Sequence, residues 1–213
     1  MNPKQKAKFL EIQEEEIEYY YDILNENIVD FDCGTLCKPD NNGVPFCCSV
    51  RNAVPYLYKK EFELLKKRTN LWKEWIPSNK QEIKMKMEQE SDDGIFCECK
   101  GHQFCERENR SISCRTFPLE PYLDKRGVLV GLIYIKSFVH GCPLSKHPEK
   151  IRQEFIDTHF LFWEKLLLRK KDEYDMYLAA SRTERRLRTK NKQEFKIFFP
   201  SHLKEREYLL KYI

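Results

Sequence analysis

Leu10, Ile17, Tyr20, Tyr21 and Leu24 recur at near-helical spacing opposite a run of glutamates, which predicts an amphipathic helix over residues 4–27. The pattern breaks from Asp30 to Val50, where Gly34, Pro39, Asp40, Asn41, Asn42, Gly43 and Pro45 supply turn chemistry. Leu57, Glu61, Leu64 and Leu65 share a register that predicts a helix over 57–67, followed by an apolar stop at Trp72, Trp75, Ile76 and Pro77. Ile83, Met85 and Met87 alternate with polar residues, and Asp93-Gly94 marks a turn before Ile95–Cys99, so a short hairpin is expected there. A stronger hairpin joins Leu119–Leu123 to Val128–Lys136 through Asp124–Gly127. Pro148 opens the longest helical pattern, with Ile151, Phe155, His159, Phe162 and Leu166 on one face and Trp163 and Leu167 beside it. Helix is expected again over Tyr174–Leu187. Phe195, Ile197, Phe198 and Phe199 then lead to Pro200, and Ser201 is placed to cap a last short helix reaching Ile213.

These elements predict an α+β fold, mainly helical, with short β-hairpins and cysteine-bearing loops around a metal site. At 213 residues the chain is expected to form a single domain, 1–213, with a cysteine-bearing region at 30–144 and a helical region at 145–213. Its 38 basic and 34 acidic residues nearly cancel, and the resulting +4 does not make a nucleic-acid binder. The most basic stretch is Arg182, Arg185, Arg186, Arg188, Lys190 and Lys192. Glu184 and Glu194 dilute it, so a solvated helix end is favoured over nucleic-acid docking. The longest apolar run, Gly127–Ile135, is too short to cross a bilayer, and the first residues carry no secretory pattern. A cytoplasmic protein without a membrane partner is the expectation.

Nine cysteines change the picture. A reducing cytosol disfavours a disulfide framework, nine is odd, and adjacent Cα atoms about 3.8 Å apart make Cys47 and Cys48 poor disulfide partners. Thiols this dense in polar segments point to metal ligation instead. The first group is Cys33-x3-Cys37-x9-Cys47-Cys48; the second runs through Cys97, Cys99, Cys105 and Cys114; Cys142 stands before Pro143. Separations of one to four residues let one turn present two sulfurs to one ion, and four thiolates close a tetrahedral zinc site or hold an iron–sulfur cluster. Either centre is anionic, and Lys100, Arg107, Arg110, Arg115 and Arg126 are candidate counter-charges. His102 and His140 read as loop histidines before ligands, and His159 as a packed core residue.

The run Cys105-x8-Cys114-Arg115-x-Phe117-Pro118 resembles the signature of the YkgJ-type cysteine-cluster proteins, in which Arg-Pro precedes Cys-Arg-x-aromatic-Pro. Arg110 stands at the first arginine, and Ser111 replaces the proline. Cys33, Cys37, Cys47 and Cys48 are similar to the family's opening motif, widened here by an insertion over 38–46, and Cys142-Pro143 is similar to its closing cysteine. The resemblance spans Asp32 to Leu144. It implies zinc or iron chelation, with Cys33, Cys37, Cys47, Cys48, Cys97, Cys105, Cys114 and Cys142 as metal ligands and Arg110 and Arg115 at the cofactor. Cys97 or Cys99 can fill the slot ahead of Cys105; spacing favours Cys97 and leaves Cys99 spare.

The same domain occurs in the flagellin lysine N-methylase, which implies S-adenosylmethionine chemistry on a protein substrate. Seven glycines, none in a G-x-G arrangement, offer no nucleotide cradle, and no catalytic residue can be named. The principal expectation is therefore a thiolate-ligated metal protein, iron–sulfur or zinc. The alternatives are a protein-modifying enzyme of the lysine methylase kind and a structural zinc interaction module.

Overall fold

A computed structural model describes residues 11–191 and 196–204. The chain is α+β and mainly helical, with small antiparallel sheets. The described residues group into two compact units: those up to Asp22 with Cys33–Phe117, and Ile23–Asp32 with those from Pro118 onward. The region 30–144 is thus divided between the two, and every cysteine except Cys142 falls in the first.

In the first unit, the predicted opening helix is α1 (Glu14–Ile23); residues 4–10 of that expectation lie outside the described ones. The Gln13 N–H donates to Glu16 Oε2 at 2.9 Å, tying off an amide that the helix start leaves without a partner. Ile17, Tyr20 and Tyr21 form its buried face. A single turn, α2 (Gly34–Cys37), follows within the turn-rich segment. The helix expected over 57–67 is α3 (Lys59–Arg68), starting later because Tyr56–Tyr58 is taken into strand β1.

Strand β2 (Trp72–Glu74) comes from the segment read as an apolar stop. The hairpin expected from the alternation of Ile83, Met85 and Met87 does not form, because Lys80–Gln89 is helix α4. Asn79 accepts hydrogen bonds from the Gln81 and Glu82 N–H groups, both at 3.0 Å, and so caps that helix. The segment is otherwise rich in good helix formers, and Ile83 and Met87 are exposed, so no buried face enforces a period of two.

Strand β3 (Gly94–Cys99) instead lies between β1 and β2, antiparallel to both. Its first half pairs with β1 (Tyr56 opposite Phe96), its second with β2 (Trp72 opposite Cys99). Gly94 is required there, since a Cβ would fall 1.8 Å from Tyr56 Oη. Helix α5 (Ile112–Thr116) closes the unit, its Ser111 hydroxyl accepting from the Cys114 N–H at 3.3 Å.

The second unit follows its sequence pattern closely. Strands β4 (Leu119–Leu123) and β5 (Leu129–Tyr134) form the expected hairpin. Asp124 Oδ1 accepts from the Arg126 and Val128 N–H groups, and Gly127 takes the left-handed conformation that the turn needs, φ 82°. Helix α6 (Gln153–Arg169) buries Phe155, Ile156, Phe160, Phe162, Trp163, Leu166 and Leu167. His159 is wholly buried, Nδ1 2.7 Å from the Phe155 carbonyl and stacked on the Phe155 ring, the core role expected for it.

Helix α7 (Lys171–Asn191) packs beside β4. The Ser181 hydroxyl accepts from the Leu123 N–H at 3.0 Å, and the Arg185 guanidinium donates to the Leu123 carbonyl. Phe198 forms a bridge to Leu132. Asp157, not Ser201, caps the last described helix, α8 (Ser201–Lys204): its carboxylate accepts both the Ser201 N–H and hydroxyl, at 2.7 and 2.6 Å. Phe195 and residues 205–213 of the expected last helix lie outside the described residues.

Candidate metal centre

Four short pieces of the first unit bring sulfur together. Cys47 and Cys48 sit on the 3-10 turn Phe46–Cys48, Cys99 ends β3, Cys105 follows the turn His102–Phe104, and Cys114 lies in α5. Cys48 and Cys105 each act electrostatically on both Cys99 and Cys114, and Cys99 acts on Cys114. Cys47 is hydrogen-bonded to Cys48 and feels Cys114 and Cys33 as well. All six are partly exposed, and the nine cysteines form no disulfide with one another.

The thiols in this set oppose one another's ionisation. Burial pushes the Cys114 thiol up to about 12, the Ser111 hydrogen bond pulls it back, and Cys99, Cys48 and Cys105 raise it further. Burial also raises Cys99, the Gly101 N–H partly offsets it, and Cys48 and Cys105 add to the rise. Cys47 is raised by its bond with Cys48 and then by burial. Groups that disfavour one another's negative charge gain most from a cation in their midst.

Arg110 supplies one such charge. Its Nε–H donates to Cys105 Sγ at 3.1 Å. Burial works against the guanidinium's charge, but the Cys105 bond and the charges of Cys105, Cys114 and Cys48 outweigh it, so its pKa stands above the usual value. Arg115 is used differently. It donates to the carbonyls of Arg110, Arg107 and Glu108 at 2.9, 3.2 and 2.8 Å, and its guanidinium lies over the Tyr21 ring at 4.4 Å. It fixes the loop that carries Arg110.

Two other expected ligands of the first unit, Cys37 and Cys97, have partners of their own. Cys37 is buried in its own loop, Sγ 3.6 Å from the Gly34 carbonyl and accepting the Phe46 N–H at 3.3 Å. Cys142 belongs to the second unit, near Tyr134. Spacing favoured Cys97 over Cys99, yet it is Cys99 that joins the thiols. Cys97 is fully buried and lies among the charges of Glu61, Glu74, Glu90 and Lys86; burial, then those carboxylates, push its thiol up to about 12. Two residues apart on one strand, the pair share a face. The pairing of Trp72 with Cys99 and Glu74 with Cys97 separates their surroundings.

One buried group escaped the sequence reading. Glu61, wholly buried, accepts hydrogen bonds from Tyr21 Oη at 2.9 Å, the Ile112 N–H at 2.6 Å and the Tyr58 N–H at 3.4 Å. It joins α1, β1 and the start of α5 to its own helix. Burial pushes its carboxyl up to about 7 even though the three hydrogen bonds and Arg115 pull it down. In the sequence it stood only as one position of a helical register. The Trp72 indole N–H adds a further tie, donating to the Asn109 carbonyl at 2.8 Å.

The donor chemistry fits a soft, thiophilic metal: thiols from four pieces of chain, with N–H donors on two of the sulfurs. The thiols are gathered without being closed around a point, since among the described residues no three His, Cys, Asp or Glu side chains are arranged to hold a metal ion. No helix among those residues is long and apolar enough to cross a membrane. Compared with protein-family models, with curated proteins and with solved structures, the chain finds no match in any of the three.

Proposed function

We propose that the first unit carries a thiolate-ligated metal centre, iron–sulfur or zinc, with Cys48, Cys99, Cys105 and Cys114 as its ligands. The observation that supports this reading is the mutual interaction of those four thiols, drawn from distant parts of the sequence. Cys33 and Cys47 adjoin the set and extend the sulfur supply beyond one tetrahedral site. Arg110 balances the anionic centre through Cys105, and Arg115 positions Arg110. The likeness to the YkgJ-type cysteine-cluster proteins points the same way, and a reducing cytosol is the compartment in which such thiols persist.

The chain's own part is to lose the thiol protons and draw the four sulfurs inward, with Arg110 and the Gly101 amide holding charge on two of them. Bound zinc would cross-link these loops, and a bound iron–sulfur cluster would add one-electron chemistry.

Protein purified without oxygen and analysed for metal tests the proposal. Stoichiometric iron with visible brown absorption, or stoichiometric zinc in a colourless protein, is the expected result. Cys48→Ser, Cys99→Ser, Cys105→Ser and Cys114→Ser should each lower metal content sharply. Cys97→Ser should keep the metal while lowering stability. Full occupancy in all four ligand variants would remove this assignment.

A further inference from the structure

The second unit carries a concentration of positive charge that the metal centre does not use. An open trough of about 590 Å³ between the β4–β5 turn and α7 is lined by Lys125, Arg182, Arg185, Arg186, Thr189 and Lys190. Arg185 is anchored, donating to the Leu123 carbonyl with its guanidinium 5.6 Å from the Tyr122 ring. Lys125, Arg182, Arg186 and Lys190 are exposed, and their side chains have no hydrogen-bonding or ion-pair partner among the described residues.

Dilution by Glu184 and Glu194 is the reason for reading this stretch as a solvated helix end; Glu184 does not reach the trough, and Glu194 lies outside the described residues. Glu184 lies on the opposite side of α7 from Arg182, Arg186 and Lys190, paired with Arg188 at 2.6 Å and Lys136 at 3.7 Å. Asp124, beside Lys125, is buried and pairs with Arg126 at 2.9 Å. The chain's near-neutral balance therefore hides a local excess of cations.

Spacing and lining identify what this excess fits. Arg182, Arg186 and Lys190 repeat every four residues on one face, and a rise of 1.5 Å per residue sets successive charges about 6 Å apart. Neighbouring phosphates along an extended single strand repeat at a comparable interval, whereas those of a condensed polyphosphate lie much closer. Among the described residues no aromatic side chain lines the trough, and none there offers a surface on which bases could stack. We infer that the trough binds the phosphodiester backbone of a nucleic-acid strand, without reading base identity.

The test is fluorescence anisotropy of the full chain with labelled oligo(dT) and oligo(rU) of about 12 nucleotides, between about 50 and 200 mM salt. Four phosphate contacts predict a slope of log affinity against log salt of about −3, alike for the two probes. The exposed triple variant Arg182→Gln/Arg186→Gln/Lys190→Gln should lower the slope's magnitude by about 2 and weaken binding at least about tenfold at low salt, with an unchanged circular dichroism melt. Lys66→Gln/Lys80→Gln/Lys84→Gln, which removes the same charge from the first unit, should bind like the parent. The inference is overturned by a parent protein that binds neither probe at low salt, by a trough variant that binds like the parent, by a control variant that loses as much, or by tripolyphosphate displacing the strand at equal phosphate concentration. A strong preference for one of the two probes overturns backbone-only recognition.

Discussion

Helix α6 of the second unit sets Phe155, Phe160, Phe162, Trp163, Leu166 and Leu167 into an apolar core, while the first unit places a carboxylate, Glu61, at the meeting point of α1, α3 and α5. The first unit has apolar contacts too, with Leu57, Leu65 and Trp72 buried, but much of its chain is loop that carries thiols and charges. Such loops bury too little apolar surface to be ordered by the hydrophobic effect alone. Directed bonds take over: Glu61 to the Ile112 amide, Arg115 to three carbonyls of the 107–110 loop, Trp72 to Asn109. Where a fold must present sulfur at its surface, its order comes from buried polar anchors.

That contrast can be broken at either end. Phe162→Ala, at a wholly buried ring, should destabilise the second unit by about 4 kcal/mol, seen as faster hydrogen exchange in β4, β5 and α6 with the β3 amides unchanged. Uniform acceleration across both units would show that they do not stand on separate cores.

Both units should respond to pH, the second through Glu120, whose carboxyl is pushed up to about 7 by burial and then by Glu184, and the first through Glu61. In the folded unit Glu61 keeps its proton up to about pH 7, whereas in the unfolded chain it gives it up near its ordinary value of 4.5. Between those pH values the folded state holds the extra proton, so stability falls as pH rises and levels off above about 7. This share of the slope approaches 1.4 kcal/mol per pH unit, on the order of 3 kcal/mol in all. Urea titrations from pH 4 to 8 should show this fall, and Glu61→Gln should remove the share that Glu61 contributes while leaving that of Glu120. A variant whose stability falls as steeply as the parent's would remove Glu61 as the anchor.

A smaller effect sharpens the role of Arg115. Arg115→Lys keeps the charge but loses the fork of donors, and should cost about 2 kcal/mol with faster exchange at residues 107–110. Smallest is Asn79→Ala, about 1 kcal/mol through loss of the α4 cap, read as a lower urea midpoint.

What could be read from the sequence follows the same divide. The β4–β5 hairpin and α6 were legible because their signals are local: a turn at Asp124–Gly127, and apolar residues repeating along one helix face. Strands β1 and β2 were not. Each is three residues long and gains its identity from β3, whose residues lie far along the chain from both. Alternation at Ile83, Met85 and Met87 misled because no sheet face enforces it, and the cap at Asn79 outweighs it.

Cysteine density was legible, and so was the basic stretch around Arg186. Which thiols meet was not. The separate surroundings of Cys97 and Cys99 depend on a cross-strand register that spacing does not encode. Glu61 was hidden because a buried carboxylate in an amphipathic helix looks like any other glutamate until its three donors are known.

The end of β4 has one more consequence. Leu123's amide is bound by Ser181 and its carbonyl by Arg185, so at this residue both main-chain groups are occupied by side chains of a neighbouring helix. A strand from a second molecule would find nothing there to pair with. By occupying both groups, α7 closes that one residue of β4 to intermolecular β-extension.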